Sequence, residues 1–280
     1  MSQSSRRARG ARQGEPPPAP EPLPLPVGDS HCHLDIMGGD PGGHLALAAS
    51  VGVDAVVQVG VDLASSRWSA ELAAGRSDVH AAVAIHPNEA GTGAASEEAL
   101  REIEALAALP QVVAVGETGL DHFRTETAEG HRLQEESFRV HLAIAKATGT
   151  ALMIHDRDAH DDVVRVLLEE GPPERVVLHC FSGGAPLART CAEHGWYLSF
   201  AGPLTFKAND ALREAAALAP AELLLVETDA PFLAPMPHRG RPNGPYLVPL
   251  TVRVLAETRG VPLDALCPVL AANGRRAFGY

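Results

Sequence analysis

Eight short apolar runs, separated by segments of helical length, constrain this sequence more than any other feature. The runs are "VGDSH" from Val27, "AVVQVG" (Ala55–Gly60), "HAAVAIHP" (His80–Pro87) and "VVAVGE" (Val112–Glu117). They continue with "TALMIH" (Thr150–His155), "RVVLHC" (Arg175–Cys180), "YLSFAG" (Tyr197–Gly202) and "LLLVETD" (Leu223–Asp229). Most are unbroken stretches of Val, Leu and Ala rather than polar–apolar alternations, as expected of parallel strands buried on both faces. Between them lie alanine-rich segments such as "EEALREIEALAAL", "QEESFRVHLAIAKATG" and "DDVVRVLLEE". Eight such units predict an α/β protein, a (β/α)8 TIM barrel filling one domain over residues 28–280. A doubly wound open sheet is the alternative, but no G-x-G-x-x-G follows the first run, which weakens a dinucleotide-binding version. Aromatic residues make up only 4 %, so the core must be built from Ala, Val and Leu.

The first 27 residues read differently. Seven prolines fall between Pro16 and Pro26. Apolar residues are too few there to offset the entropy of ordering, so residues 1–27 are expected to form a disordered tail. The arginine pair in "SSRRARG" is not followed by the apolar stretch that an export signal needs. No run approaches the roughly 18–20 apolar residues of a membrane span. Cys32, Cys180, Cys191 and Cys267 make no C-x-x-C pair, and a cytoplasmic protein with reduced thiols is expected. Formal net charge is −12, although four arginines sit in the tail. So acidic a chain has no broad electrostatic grip on nucleic acid; phosphate contact must be local or supplied by metal.

Ionisable residues recur where the apolar runs end. His31 and His33 close the first, Glu117 the fourth, His155 the fifth, His179 the sixth and Asp229 the eighth. In a parallel barrel those ends share the catalytic face. Strand alternation points His31 and His33 to one side and Cys32 to the other. A lone H-x-H is a weak metal signal, and a single terminal carboxylate often only caps the next helix. Six such groups on five strand ends are another matter, because buried ionisable groups are costly unless paired or metal-bound. The scatter of the six along the chain suits two divalent ions bridged by a carboxylate better than one structural zinc.

The chain resembles the TatD-type metal-dependent deoxyribonucleases of the amidohydrolase-like barrel superfamily. The resemblance runs from about Asp29 to the C-terminus. It is carried by "DSHCHLD", "AIHPNEA", "VGETGLDHFR", "QEESFRVHLAIA", "MIHDRDAHDDV", "VVLHCFSGG", "GPLTFK", "LLLVETDAPFLAP" and "RGRPNGPYLV" in this order. It implies His31 and His33 on a first metal with Asp229 nearby, Glu117 bridging, and His155 and His179 on a second. It implies two divalent ions (Mg²⁺, Mn²⁺ or Zn²⁺), a water they activate for attack on phosphorus, and Asp229 as general base. It suggests that His86 faces the site; a structural histidine before a proline turn is the equal alternative.

Arg157, two residues after His155, suits bidentate phosphate recognition, with a salt bridge to Asp158 or Asp161 as the plainer option. Ser182 and Gly183 offer a hydroxyl and an N–H to phosphate, and Lys207 a point charge. Asp121 and His122 are candidates for orienting ligands. Phe206 and Trp196 are possible base-stacking rings, barrel packing being preferred for Trp196. Cys180 is expected in the core, by alternation. The spacing from Phe138 to Ile144 reads as a core-facing helix without functional signal. The chain departs from the family where Gly244 follows Asn243 in place of the usual Glu, and where Leu250 stands.

The first functional expectation is therefore a monomeric, cytoplasmic hydrolase of DNA phosphodiester bonds, acting on single strands or 3′ ends, without membrane attachment or organic cofactor. The second keeps barrel and metals but cleaves an amide or ester, including deacylation of aminoacyl-tRNA. A noncatalytic metal-binding barrel is the third.

Overall fold

The computed structural model describes residues 14–280. Eight parallel strands form one sheet in sequence order: β1 (Val27–Cys32), β2 (Val53–Val59), β3 (Val79–Val83), β4 (Val112–Asp121), β5 (Ala151–Arg157), β6 (Val176–Leu178), β7 (Tyr197–Phe200) and β8 (Leu224–Val226). Helices fill the connections, as right-handed parallel crossovers require. The barrel closes between its first and last strands through a parallel bridge of Cys32 with Ala230. At this seam the Asp229 N–H donates to the His31 carbonyl (2.9 Å) and the His33 N–H to the Ala230 carbonyl (2.8 Å). Below it, Asp29 accepts from the Thr228 N–H (2.9 Å) and hydroxyl (2.5 Å). The predicted (β/α)8 barrel is the observed fold, and all eight apolar runs supply its strands.

The strands differ from the runs in length. The ladder between β4 and β5 continues past the apolar stretch, pairing Thr118 with Ile154, Gly119 with His155 and Asp121 with Arg157. Polar residues hid this extension from an apolar pattern. By contrast β6 is only three residues long. The core is mostly aliphatic, as composition demanded; Phe138 and Phe200 are the aromatics among its largest fully buried side chains.

The expected disordered tail needs correction from Gly14 onward. Residues 14–26 lie as an extended segment along the barrel. The Leu23 N–H donates to the Val51 carbonyl (3.0 Å), and the Leu23 side chain is buried. The Tyr246 hydroxyl donates to the Pro17 carbonyl (2.8 Å), Arg241 to that of Glu15 and Arg253 to that of Glu21. Proline fixes φ at a value suited to extended chain, so the proline run has less entropy to lose on docking than its sparse apolar content implied. Met1–Gln13, including the arginine pair, lies outside the described residues.

One buried polar group braces the frame. Helix Ala128–Thr148 turns Phe138, His141, Leu142 and Ala145 inward, the stripe of an amphipathic helix. His141 Nδ1 donates to the Ser137 carbonyl (2.8 Å) and Nε2 accepts from the Ile85 N–H (3.1 Å). Burial pushes this imidazole down to about 4 from 6.5. It is therefore neutral when folded, and its stabilisation is complete above pH 6.5 and lost as pH falls toward 4. That shift corresponds to about 3 kcal/mol. Urea unfolding at pH 7 and pH 4 should show a loss of this order in wild type that is much reduced in His141→Gln; equal losses in both would refute the assignment.

Candidate metal centre

The carboxyl end of the barrel brings together residues from six connections. Alternation in β1 aims His31 and His33 into the barrel mouth, their Nε2 atoms 3.1 Å apart, while Cys32 is fully buried in the core. Glu117 projects from the middle of the long β4. His155 comes from β5, His179 follows β6 and Asp229 follows β8. Asp229 sits at φ 52°, a left-handed turn that swings its carboxylate toward the histidines: Oδ1 lies 3.7 Å from His31 Nε2 and 3.6 Å from His33 Nε2.

Glu117 stands between two groups of donors. Its Oε1 faces His155 Nδ1 at 2.8 Å, His179 Nε2 at 2.9 Å and His86 Nε2 at 3.3 Å. Its Oε2 faces His31 Nε2 at 3.6 Å and His33 Nε2 at 3.9 Å. The donors group as His31, His33 and Asp229; His31, Glu117 and His179; and His86, Glu117 and His155. All six positions expected as ligands thus converge. His86 joins them and also plays the plainer part weighed for it, since its Nδ1 accepts from the Asn88 N–H (3.0 Å) and caps the short helix Pro87–Ala90.

The donor set suits divalent cations. Two ligands bound tetrahedrally at about 2.0–2.3 Å stand about 3.3–3.8 Å apart, which the distances from Asp229 Oδ1 to His31 and His33 Nε2 (3.7 and 3.6 Å) match, the two Nε2 atoms being slightly closer at 3.1 Å. The imidazoles are also oriented from behind. His33 Nδ1 donates to the Val59 carbonyl (3.0 Å), which leaves its Nε2 lone pair facing the site. His179 Nδ1 contacts Glu227 Oε1 (3.1 Å), and His155 Nε2 contacts Asp121 Oδ2 (3.1 Å).

The protein atoms alone already call for positive charge here. Burial would raise Glu117, but the charges of His86 and His179 and hydrogen bonds from His155 and His179 outweigh it and hold the carboxyl well below its ordinary range. Burial opposes a charged His179, yet Glu117 and Glu227 draw it well above 6.5. His155 is raised against burial by its bonds to Asp121 and Glu117. Asp121 is held at about 2, burial being overcome by the hydrogen bond and charge of His155. His31 goes the other way, driven well down by burial and by the charge of His179. Protons on imidazole do in this arrangement what bound cations would do in their place.

The cluster forms one wall of an open cavity of about 540 Å³, ample for a small-molecule fragment or nucleotide. Arg157, Arg124 and Ser182 line it too. Arg157 makes no salt bridge to Asp158 or Asp161; its guanidinium covers the Phe123 ring. The Ser182 hydroxyl donates to the Asp156 carbonyl (3.3 Å). Lys207 is exposed and outside the cavity wall, its own carbonyl accepting from Arg213 (2.9 Å). His122 stacks on His131 (4.0 Å between ring centres) rather than on a metal-facing residue. Trp196 is buried in the barrel packing, as preferred.

Cys180 does not lie in the core. β6 ends at Leu178, and Cys180 turns at φ 42°, so alternation no longer applies and the residue lines the cavity. Burial and the charge of Asp229 raise its thiol well above 9.0, so it is no thiolate nucleophile. Sequence reasoning missed Glu227, fully buried behind His179, although its place two residues before Asp229 was a usable signal. It also missed Asn88, whose amide donates to Asp121 Oδ2 (3.2 Å). At Gly244 an added Cβ would meet the Tyr246 ring at 2.9 Å; a glutamate does not fit beside this tyrosine without a shift.

The family model described as TatD related DNase matches residues 28–279. The chain belongs to the TatD family. Within it, the chain is 46 % identical over 258 residues to the "Uncharacterized metal-dependent hydrolase TatD" of Mycobacterium tuberculosis, covering 90 % of this chain and 97 % of that protein. It is 34 % identical over 244 residues to the "3'-5' ssDNA/RNA exonuclease TatD" of Escherichia coli K12, covering 84 % and 91 %. Among solved structures, the TatD homologue YJJV of Escherichia coli K12 superposes with a TM-score of 0.83 at 27 % identity, covering 91 % of this chain and 98 % of that one. Membership of TatD makes the chain a metal-dependent hydrolase by family. No helix among the described residues is long and apolar enough to cross a membrane.

Proposed function

We propose that the chain hydrolyses phosphodiester bonds of DNA, acting on single strands or 3′ ends with two divalent cations, Mg²⁺, Mn²⁺ or Zn²⁺. The observation that carries this reading is Glu117, one oxygen toward His86, His155 and His179 and the other toward His31 and His33, beside a cavity lined by Arg124 and Arg157. The relative named as a 3′–5′ ssDNA/RNA exonuclease supports it. Bound divalent cations supply Lewis-acid stabilisation of the phosphoryl charge.

The chain's own residues do the rest. Asp229, partly exposed at the cavity wall, accepts the proton of the attacking water as general base. The water oxygen bonds to phosphorus while the bond from phosphorus to the leaving sugar oxygen breaks. His86 reaches the leaving oxygen or a phosphate oxygen. Arg157 and Ser182 hold the neighbouring phosphate, and Lys207 meets the strand further out. In so acidic a chain, Arg124 and Arg157 at this mouth grip phosphate locally. Four free cysteines agree with a reducing, cytoplasmic setting. One chain supplies all six ligands, so a monomer suffices.

The test is cleavage of end-labelled single-stranded DNA by purified protein with EDTA, Mg²⁺, Mn²⁺ or Zn²⁺, with Asp229→Asn as control. Ion-dependent shortening that drops by about 10²-fold or more in the variant is expected. A metal-loaded protein that leaves every strand intact would overturn the reading in favour of ester or amide cleavage, aminoacyl-tRNA included.

A further inference from the structure

The mouth of the barrel carries arginines held on aromatic rings rather than by carboxylates. Phe123 follows β4 and is 57 % exposed, the only exposed aromatic side chain among the described residues. Arg157 ends β5 with its guanidinium carbon 4.1 Å from the Phe123 ring centre. Phe206, after β7, carries Arg239 in the same way at 4.5 Å. Arg124, Arg157 and Arg239 have no carboxylate partner among the described residues.

The platform is not on a loose loop. Asp121 pairs with Arg157 across the last rung of the β4–β5 ladder, and the His122 N–H donates to the Arg157 carbonyl (2.9 Å). The same two strands carry Glu117 and His155. Arg157 lies two residues beyond His155 on the same strand, a rise of about 7 Å, within reach of one nucleotide whose phosphate sits at the cluster. A planar cation stacked on an exposed ring offers a flat, positively charged surface. Nucleobases of any sequence stack on such surfaces, whereas a base inside a duplex has both faces covered.

We infer that Phe123 and Arg157 form a stacking platform for the nucleobase beside the scissile phosphodiester, and that this platform selects unpaired strands. The inference rests on the nuclease reading above. Phe123 is a positioning residue: its ring backs the Arg157 guanidinium, whose other face meets the base, and it touches none of the reacting atoms.

The experiment compares wild type with Phe123→Ala, Phe123→Leu and Phe123→Tyr on a single-stranded DNA oligonucleotide, and on the same strand with an abasic nucleotide next to the cleaved bond. Phe123→Ala should lower kcat/KM on the intact strand by about 10-fold, chiefly through KM, with thermal stability retained because the side chain is largely exposed. Tyr should restore the rate and Leu should not. Wild type should prefer the intact strand over the abasic one, and Phe123→Ala should lose that preference. Wild-type-like kinetics in Phe123→Ala, full rescue by Leu, or a preference that survives the substitution would each overturn the platform. If wild type cleaves no strand with any ion, anisotropy of the labelled strands decides. Base-dependent binding lost in Phe123→Ala would keep the platform while the nuclease reading falls; absence of binding would remove both.

Discussion

Replacing Glu117 by Gln should lower kcat/KM by about 10³-fold or more while the barrel stays folded. A carboxylate can face two cations with its two oxygens, and Glu117 has its oxygens turned to different donor groups 2.8–3.9 Å away. The amide keeps the size but replaces one oxygen with an NH₂ group, which cannot ligate and would be aimed at imidazole nitrogens. On the proposed reading, what is lost is the charge stabilisation that two ions held by Glu117 would give the transition state, several kcal/mol. Two measurements check it: kinetics under saturating Mn²⁺, and bound metal per chain by elemental analysis. Loss of activity with fewer ions bound is expected. A variant that keeps its metal and works within 10-fold of wild type would show that Glu117 does not bridge.

The second large effect concerns stability. Gly119 lies between Glu117 and Asp121 at φ 124°, and a Cβ there would sit 2.2 Å from the His155 carbonyl oxygen and 3.1 Å from Ile154 Cγ2. Neither is the far end of a flexible side chain. Gly119→Ala must therefore part the β4–β5 ladder at the rung that pairs Gly119 with His155. Overpacking and a disfavoured φ together should cost about 3 kcal/mol or more, a fall in Tm of roughly 6–10 °C for a domain of this size. Gly195→Ala is the control. Gly195 has φ 70° but nothing within 4 Å of an added Cβ, so it should lose only about 1 kcal/mol. Equal shifts in the two would mean that backbone conformation, not the close approach, sets the effect. Activity of Gly119→Ala should fall as well, because His155 moves with the strand.

The barrel was legible because burial on both faces of a parallel sheet leaves a signal in local sequence: eight aliphatic runs, each followed by a helix. That His31, His33, Glu117, His155, His179 and Asp229 converge was legible because histidines and carboxylates at run ends are costly without a purpose. What escaped were features fixed by neighbours distant in sequence. Nothing near Pro17 announces that its carbonyl meets the Tyr246 hydroxyl, so the proline-rich segment read as disordered. Cys180 was misplaced because alternation was extended two residues beyond the end of β6. His141 looked like one more core position on a helix, and only the fold shows that it holds Ile85, the residue before His86. Glu227 was visible as a letter but not as the partner of His179.

The seam between β1 and β8 has a consequence for how the molecule comes into being. Asp29 and Thr228 are 199 residues apart in sequence, so closing this loop spans all eight strands, and such distant contacts are entropically the hardest to form early. His31, His33 and Asp229 lie on the two lips of that seam. Their shared grip cannot exist in a nascent or half-folded chain, whatever the local concentration of ions. On the proposed reading, an ion held by these three residues would require the seam to be closed, and would act as a rivet across it.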